Sequence, residues 1–377
     1  MSLLFDLTAS QPSATSKRHG GGKYCEILFF AMCQRNLKFQ AFWDSSKYIN
    51  PEVLQSAKLA NIQLHDIKYS SLDDIVNKQN ISHIYSALPE QILPWPNCKI
   101  LGTIHGLRAL EMPFDFFSHW QMDKGIIGLN TVLAWKNSKR NKSQIKNYYK
   151  ELLNRSNFNF ITVSNHSKKI IAEVSGKQDI PVFYPPSTSS KSILPRIKEE
   201  YFLMVSADRV EKNCIRAIIA LDKLYSKNKI PKSRKIKITG LDKPNFRYKI
   251  KNISQFIFQG YVDEVELDNL YAKAFAFIYP SLNEGFGYPP LETMKFGVPV
   301  LASNAASIPE VCGNAALYFN PTSVNEIKIK ILDLLNEHTY VNMKNLGQSR
   351  FKEIEAKQND DLNNLIDWII YNSLANK

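Results

Sequence analysis

The residues best suited to bind a ligand lie between a strand predicted to end at Pro280 and a helix predicted to begin near Pro290. The loop between these elements carries Glu284 and two glycines, Gly285 and Gly287. The positive end of a helix at the carboxyl edge of a parallel sheet attracts phosphate groups. Glycines let a ligand approach the main chain closely. The stretch therefore predicts a site for an anionic ligand.

Two carboxylates of this stretch, Glu284 and Glu292, are eight residues apart. Glu284 lies in the loop and Glu292 in the first helical turn, so the two side chains can contact two ends of one ligand. A carboxylate accepts two hydroxyl hydrogen bonds, which suits the cis-diol of a ribose or a sugar. The alternative is structural: Glu292 would complement the helix dipole, and the glycines would only turn the chain. For a Glu-Gly-x-Gly motif by itself, the structural alternative is favoured.

The whole stretch resembles the Glu-x7-Glu signature of the retaining nucleotide-sugar glycosyltransferases of family 4, which have the GT-B fold. The resemblance implies that Glu284 and the main chain of Gly285, Phe286 and Gly287 hold the hydroxyls of the transferred sugar. It also implies that Glu292 holds the ribose of the donor. The similarity continues along the chain through Gly297, Pro299, residues 302–303, 308–311 and 313–316, and Pro321.

A second motif, at residues 205–213, resembles the strand-to-helix turn of that family, in which an Arg and a Lys hold the donor diphosphate. Arg209 and Lys212 occupy these places. Two cations would neutralise a diphosphate and stabilise its departure. The alternative is a solvated turn with surface charges. Gly240 falls where the family places a strand-end glycine near the nucleotide base.

The first half of the chain resembles the family more weakly. Residues 19–23 resemble the glycine-rich loop that leads into the first helix, which implies that Gly21 and Gly22 meet the donor phosphate. A flexible loop is the alternative. His105, at the end of a strand predicted at 100–105, resembles the family's histidine near the transferred sugar. A structural role for this histidine is the alternative.

Short apolar strands alternate with helices in two series, which predicts an α/β protein with mainly parallel sheets. The GT-B resemblance implies two Rossmann-like, doubly wound parallel-sheet domains that face each other across a cleft. A Ser/Lys/Pro-rich linker at 187–200 separates the series. We expect residues 1–190 to bind the acceptor and residues 191–359 to bind the donor. The C-terminal helix, 360–377, is expected to cross back to the first domain.

Local patterns set expectations for individual elements. In the first series, residues 20–22 are expected in a polar loop before a helix at 23–33, and residues 181–184 are expected to form the last strand. In the second series, the pattern predicts a strand at 235–239 and a helix at 264–273.

Composition narrows the class of protein. The 377 residues are 44% hydrophobic and 22% charged, which excludes a wholly disordered chain, a collagen or a disulfide mini-protein. No apolar stretch reaches the about 18 residues of a spanning helix, and the N-terminus lacks the basic region of a secretory signal. The five cysteines form no Cys-x-x-Cys pair, which argues against a zinc site and for a reducing compartment. We therefore expect a cytoplasmic protein.

The net charge of +13 draws polyanions, and many basic residues lie at 136–150. Three interpretations are open: a solvated helix face, a surface that meets anionic lipid, and a nucleic-acid site. Nucleic acid ranks last because no recognisable nucleic-acid module accompanies the segment. We expect a peripheral enzyme on the inner face of a membrane. The basic residues are Lys136, Lys139, Arg140, Lys142, Lys146 and Lys150, with Trp135, Tyr148 and Tyr149 interleaved.

These interpretations combine into one predicted function. A hexose or deoxyhexose, of the mannose or rhamnose type, would move with retention from a nucleoside diphosphate sugar to a hydroxyl of a glycan or lipid-linked glycan. The setting would be surface polysaccharide synthesis, of O-antigen or capsule. We expect no metal and no cofactor, since basic residues can replace a metal at the diphosphate. The residues expected to carry the reaction are His105, Arg209, Lys212 and Glu284.

Other functions stay open at this point. A GT-B nucleotide-sugar epimerase shares the expected fold. A non-catalytic protein that binds anionic lipid or nucleic acid would explain the charge. A nicotinamide-dependent oxidoreductase would need Gly-x-Gly-x-x-Gly directly after the first strand, and the chain has only a glycine triplet well past it.

Overall fold

The structure, a computed structural model, describes residues 2–12, 20–112, 114–122, 129–187 and 199–374. The chain divides into two compact units. The first unit contains Met1–Leu107, Tyr148–Thr188 and Glu355–Lys377, and the second contains Arg108–Asn147 and Ser189–Ile354.

The first unit is built on a parallel sheet of six strands within the described residues, in the order β3-β2-β1-β4-β5-β6. This is the order of a doubly wound nucleotide-binding sheet, and it reverses between β1 and β4. All four residues of β1 are buried, as expected for a strand covered on both faces. The strands are β1 (Leu3–Asp6), β2 (Gln40–Trp43), β3 (Gln63–Asp66), β4 (His83–Ser86), β5 (Lys99–Ile104) and β6 (Phe158–Thr162).

The second unit repeats this plan. Its described strands form a parallel sheet in the order β12-β11-β10-β7-β8-β9, which reverses between β7 and β10. The strands are β7 (Tyr201–Met204), β8 (Lys235–Thr239), β9 (Phe256–Gln259), β10 (Ala276–Tyr279), β11 (Val300–Ser303) and β12 (Ala316–Phe319). The predicted fold class, with two doubly wound parallel sheets, is confirmed.

Helices connect the strands and cover the sheets. They are α1 (Gly20–Gln34), α2 (Pro51–Leu59), α3 (Leu72–Lys78), α4 (Arg108–Glu111), α5 (Phe116–Met122), α6 (Leu129–Leu153), α7 (Asn165–Ser175), α8 (Cys214–Ser226), α9 (Glu264–Lys273), α10 (Tyr288–Lys295), α11 (Ile308–Cys312), α12 (Val324–Leu334) and α13 (Glu337–Leu374). None of the helices in the described part of the chain is long and apolar enough to cross a membrane.

The core of the second unit lies where α8 and α12 cover the sheet. Strand residues Phe202 and Ile278 are buried there together with Leu221 of α8 and Ile331 of α12. Removing this apolar surface from water stabilises the sheet by about 25 cal/mol per Å². The strands are therefore rigid supports for the loops that leave their carboxyl ends.

Two expectations for the first unit were wrong. Gly20, Gly21 and Gly22 form the first turn of α1 instead of a polar loop. A Cβ at buried Gly22 would lie 3.5 Å from backbone atoms of Ala9 and Ser10, so the helix packs close to the turn at Thr8–Ser10, and this packing overrides the low helix propensity of glycine. The strand expected at 181–184 is a single bridge between Val182 and Thr162.

The division into units differs from the predicted domains in residues 108–147, which pack with the second unit. The C-terminal part of α13 packs with the first unit. There, the Asp361 carboxylate accepts a hydrogen bond of 2.7 Å from the Tyr184 N–H. The Arg35 guanidinium also forms an ion pair of 2.7 Å with Asp367.

Candidate functional site

The second unit brings two loops together at the point where its strand order reverses. Residues 205–213 leave β7, and residues 280–287 leave the neighbouring strand β10. In open α/β sheets, ligands bind at this crevice because the loops diverge from it. The Leu282 N–H donates to the carbonyl of Glu211 over 2.8 Å. The Asn213 amide donates to the carbonyl of Pro280 over 2.9 Å. The two loops therefore hold each other in place.

A buried ion pair joins these loops. Lys212, in the short 3-10 turn Val210–Lys212, donates from Nζ to Glu284 Oε1 over 2.6 Å. Their side chains are 5% and 8% exposed. The same ammonium donates to the Tyr279 hydroxyl over 3.1 Å, and the Ser281 hydroxyl donates to Glu284 Oε1 over 2.6 Å. The pair has the additional hydrogen bonds that buried charges need.

The pKa values of this group follow from burial and charge. Burial alone would raise the pKa of Glu284, but the Lys212 ammonium and the hydrogen bonds outweigh it and lower that pKa to about 2. Burial lowers the pKa of Lys212, and Glu284 opposes this change. Burial, followed by the charge of Glu284, raises the pKa of Tyr279 well above its ordinary value. At neutral pH, Glu284 is therefore a carboxylate and Tyr279 a neutral phenol.

Two arginines extend this group towards solvent. Arg108 and Arg209 are about two-fifths exposed and share the carboxylate of Glu211. Arg108 Nη1 donates to Glu211 Oε1 over 3.1 Å, and Arg209 Nε lies 3.6 Å from the same oxygen. Arg108 Nη2 also lies 3.8 Å from Glu284 Oε2. Three cations and two carboxylates thus form one cluster with a net charge of +1.

The loop at 284–287 is held from below by a buried hydroxyl. Ser307 Oγ lies 2.9 Å from the carbonyl oxygen of Glu284 and 2.8 Å from that of Phe286, so its one proton can be donated to either carbonyl. Gly287 has a φ of 104°, which a residue with a side chain adopts only with strain. The loop therefore has a fixed main-chain shape that depends on a glycine.

The helix after this loop begins at Tyr288, two residues earlier than the sequence predicted. Its second and third residues, Pro289 and Pro290, carry no N–H group. The helix start therefore offers fewer donors for an anion than an ordinary helix end. Charged side chains must supply more of any attraction to a phosphate.

Glu292 follows on α10 and is partly buried. The Tyr271 hydroxyl of α9 lies near its carboxylate, and burial together with this charge raises the pKa of Tyr271 well above its ordinary value. Gly240, at the end of β8, has a φ of 92°, and a Cβ there would lie 2.7 Å from Asp208 Oδ1. Gly240 and Asp208 lie at the same edge of the sheet as Lys212.

The remaining predicted residues belong to the first unit. His105 follows β5, and its Nε2 lies 3.1 Å from the carbonyl oxygen of Ala87. Because a carbonyl only accepts, Nε2 carries the proton. The His105 ring meets the Tyr24 ring edge-on, with centroids 4.9 Å apart. Gly21 and Gly22 are helical and not in a loop, as described above, and their contact with the donor phosphate stays a prediction.

The structure thus joins Arg209, Lys212 and Glu284 in one cluster, and the main chain of Gly285, Phe286 and Gly287 continues from it. Sequence reasoning missed Arg108 as part of this cluster. It also missed Glu211, which lies inside the motif at 205–213 and whose charge is the only local signal. In the described part of the chain, no three His, Cys, Asp or Glu side chains come together as metal ligands.

Comparison with known proteins relates this site to a family. Residues 187–350 match the family described as glycosyl transferases group 1. The O-antigen chain mannosyltransferase B of Escherichia coli is 48% identical over 81 residues, which are 22% of this chain and 21% of that protein. The O-antigen chain mannosyltransferase RfbU of Salmonella typhimurium is 34% identical over 166 residues, which are 43% of this chain and 46% of that protein. The chain thus matches less than half the length of either relative.

Solved structures are similar over nearly the whole chain. A glycosyltransferase from Rickettsia africae has a TM-score of 0.63 and 16% identity, with 100% of this chain and 99% of that chain covered. At this identity the likeness shows the fold, which is GT-B.

Proposed function

We propose that this protein is a retaining mannosyltransferase of O-antigen synthesis, of glycosyltransferase family 4, because residues 187–350 match the group 1 glycosyl transferases and the chain has the GT-B fold. It would move mannose from a nucleoside diphosphate sugar to a hydroxyl of a glycan or lipid-linked glycan. The observation that carries the proposal is the cluster of Arg209, Lys212 and Glu284 at the point where the strand order reverses. The names of the two mannosyltransferase relatives support the choice of sugar.

In the proposed reaction, the bond between the sugar C1 and the diphosphate oxygen breaks, and negative charge grows on the leaving diphosphate. A bond forms between C1 and the acceptor hydroxyl oxygen, and the proton of that hydroxyl passes to the departing diphosphate. A cation already in place stabilises that charge without reorganisation. Arg209 is exposed enough to reach a ligand, whereas Lys212 is buried against Glu284. We assign Arg209 to the leaving diphosphate. Lys212 keeps Glu284 ionised and oriented, and it adds to the positive field of the site.

The carboxylates hold the hydroxyls of the donor. Glu284 is charged at neutral pH and accepts hydrogen bonds only, so it suits the hydroxyls of the transferred sugar. We assign the main chain at 284–287 to the same sugar hydroxyls. We assign Glu292 to the ribose of the donor. His105 stays a prediction, as a contact of the transferred sugar, and Gly240 stays a prediction as a residue near the base.

The experiment is a thermal-shift and calorimetric titration with UDP, GDP, ADP and dTDP and their sugars. Ligand that binds only the folded state stabilises it by about 2.7 kcal/mol at a hundredfold excess over Kd. We expect one nucleoside diphosphate to raise the melting temperature, and we expect Arg209→Ala and Glu292→Ala to remove this rise. Arg35→Ala, in an ion pair on the first unit, is the matched control. Binding to none of the nucleotides would contradict the proposal.

A second part of the proposal concerns the membrane. Exposed apolar side chains lie on the first turns of α6 at helical spacing: Leu129, Val132 and Leu133. Lys136 and Lys146 are exposed farther along the same helix. Each Lys near an anionic surface contributes about 1 kcal/mol. We propose that α6 brings the enzyme to the inner face of a membrane, where a lipid-linked acceptor would be anchored.

Cosedimentation with vesicles of phosphatidylglycerol and phosphatidylcholine tests this part. A variant that carries Lys136→Glu, Lys146→Glu and Lys150→Glu is expected to bind these vesicles at least tenfold more weakly than the unchanged protein. The control carries the same change at three exposed lysines of and after α8, Lys223, Lys227 and Lys229. Equal loss in both variants would show that net charge, and not α6, governs the binding.

A further inference from the structure

Arg108 is the basic residue of the cluster to which the sequence analysis assigned no role. It begins α4, and its guanidinium contacts both carboxylates of the cluster: Glu211 at 3.1 Å and Glu284 at 3.8 Å. In the sequence it lies 103 residues before Glu211. Its side chain is 44% exposed, so the contacts leave part of its donor fork open to solvent.

The segment that carries Arg108 is fixed on the second unit by buried contacts. The Arg216 guanidinium of α8 donates twice to the Asp115 carboxylate, over 2.6 Å and 2.8 Å. These side chains are 7% and 11% exposed. Farther on, the Gln121 side chain accepts from the Tyr248 N–H over 2.9 Å. The position of Arg108 is therefore supported by the buried contacts of Asp115 and Gln121 and not by one surface contact alone.

The charges indicate what Arg108 is suited to bind. Within the cluster, Lys212 and Glu284 neutralise each other in a buried pair, and Glu211 is shared by Arg108 and Arg209. One positive charge remains, spread over two exposed guanidiniums. A guanidinium has five N–H donors in a planar fork that matches two oxygens of a phosphate. Two such forks beside one carboxylate suit a diphosphate.

We propose that Arg108 is a further diphosphate-binding residue, which acts with Arg209 and is carried to the donor site by α4, with Asp115 and α5 as its support. The inference rests on the proposed function, since it assumes a nucleoside diphosphate sugar at this site. The two guanidiniums would exchange part of their contact with Glu211 for phosphate oxygens when the donor binds. Stabilisation of the leaving diphosphate would then come from both halves of the sequence.

Calorimetric titration of Arg108 variants tests the inference. The probe is whichever of UDP, GDP, ADP and dTDP binds the unchanged protein most tightly, together with the nucleoside of the same base. We expect Arg108→Ala to weaken diphosphate binding about tenfold, as for loss of one charge-assisted contact, and to leave nucleoside binding unchanged. Arg108→Lys keeps the charge but loses the planar set of guanidinium donors. Its affinity for the diphosphate is therefore expected to lie between that of the unchanged protein and that of Arg108→Ala. Arg35→Ala is the control for loss of an exposed, paired arginine.

The outcomes separate this inference from the proposed function. If the unchanged protein binds none of the four diphosphates, the proposed function fails. If it binds one and Arg209→Ala loses it while Arg108→Ala does not, the proposed function stands and the role of Arg108 is overturned. Equal weakening of diphosphate and nucleoside in Arg108→Ala would show a merely structural contact with Glu211, which also overturns it.

Discussion

The buried pair of Lys212 and Glu284 predicts a specific acid sensitivity of the second unit. The pKa of Glu284 is about 2, against an ordinary value of 4.5. A carboxyl whose pKa is depressed in the folded state contributes stability that is present above pH 4.5 and is lost as the pH falls towards 2. The difference corresponds to about 3 kcal/mol in total. About 1.4 kcal/mol of it is lost between pH 6 and pH 3.5.

The perturbation that isolates this contribution is Glu284→Gln, which keeps the size of the side chain and removes its titration. At pH 6 it leaves the Lys212 ammonium buried without its partner, and we expect a loss of about 3 to 5 kcal/mol. Urea unfolding followed by circular dichroism measures the free energy of unfolding of the unchanged protein and of the variant at pH 6 and at pH 3.5. We expect the difference in the free energy of unfolding between the unchanged protein and the variant to be about 1.4 kcal/mol smaller at pH 3.5 than at pH 6.

Glu353→Gln, at a carboxylate that is 66% exposed, controls for the removal of one acidic group. A difference for Glu284→Gln that stays the same at both pH values would refute the reasoning. It would mean that Glu284 is not held as a carboxylate by Lys212 in the folded protein.

Two further changes test how the site is supported. Arg216→Met leaves the Asp115 carboxylate buried without its partner, so urea unfolding is expected to show a loss of about 3 kcal/mol; a loss below about 1 kcal/mol, typical of a surface pair, would contradict the anchoring of residues 108–122. Gly240→Ala forces a side chain into a φ of 92° and against Asp208, so we expect a loss of at least about 1 to 2 kcal/mol, measured in the same way; unchanged stability would mean that the turn relaxes freely.

Sequence patterns predicted the elements of the second unit well. The strand at 235–239 and the helix at 264–273 have the predicted bounds, because alternating isoleucines mark the strand and an acidic first turn marks the start of the helix. The loop with Glu284 lies between a strand and a helix as expected. Local signals suffice where neighbouring residues decide the structure.

Long-range packing decided what the sequence did not predict. Gly20 to Gly22 are helical although glycine disfavours helices, and buried Gly22 lies where the helix packs close to the turn at Thr8–Ser10. Strand β12 was not predicted, since its run Ala316–Phe319 is short and half-buried. Arg108 reaches the cluster through an ion pair of Asp115 with a residue 101 positions away, which no local pattern reveals.

The most direct test of the central claim is a transfer assay with product analysis. The purified protein would be incubated with nucleoside diphosphate mannose and an acceptor fraction of lipid-linked glycan, and the new linkage would be examined by NMR. We predict transfer of mannose with the anomeric configuration of the donor, lost in Arg209→Ala and Glu284→Gln and retained in Arg35→Ala. An inverted linkage, or transfer that persists in Arg209→Ala, would contradict the account.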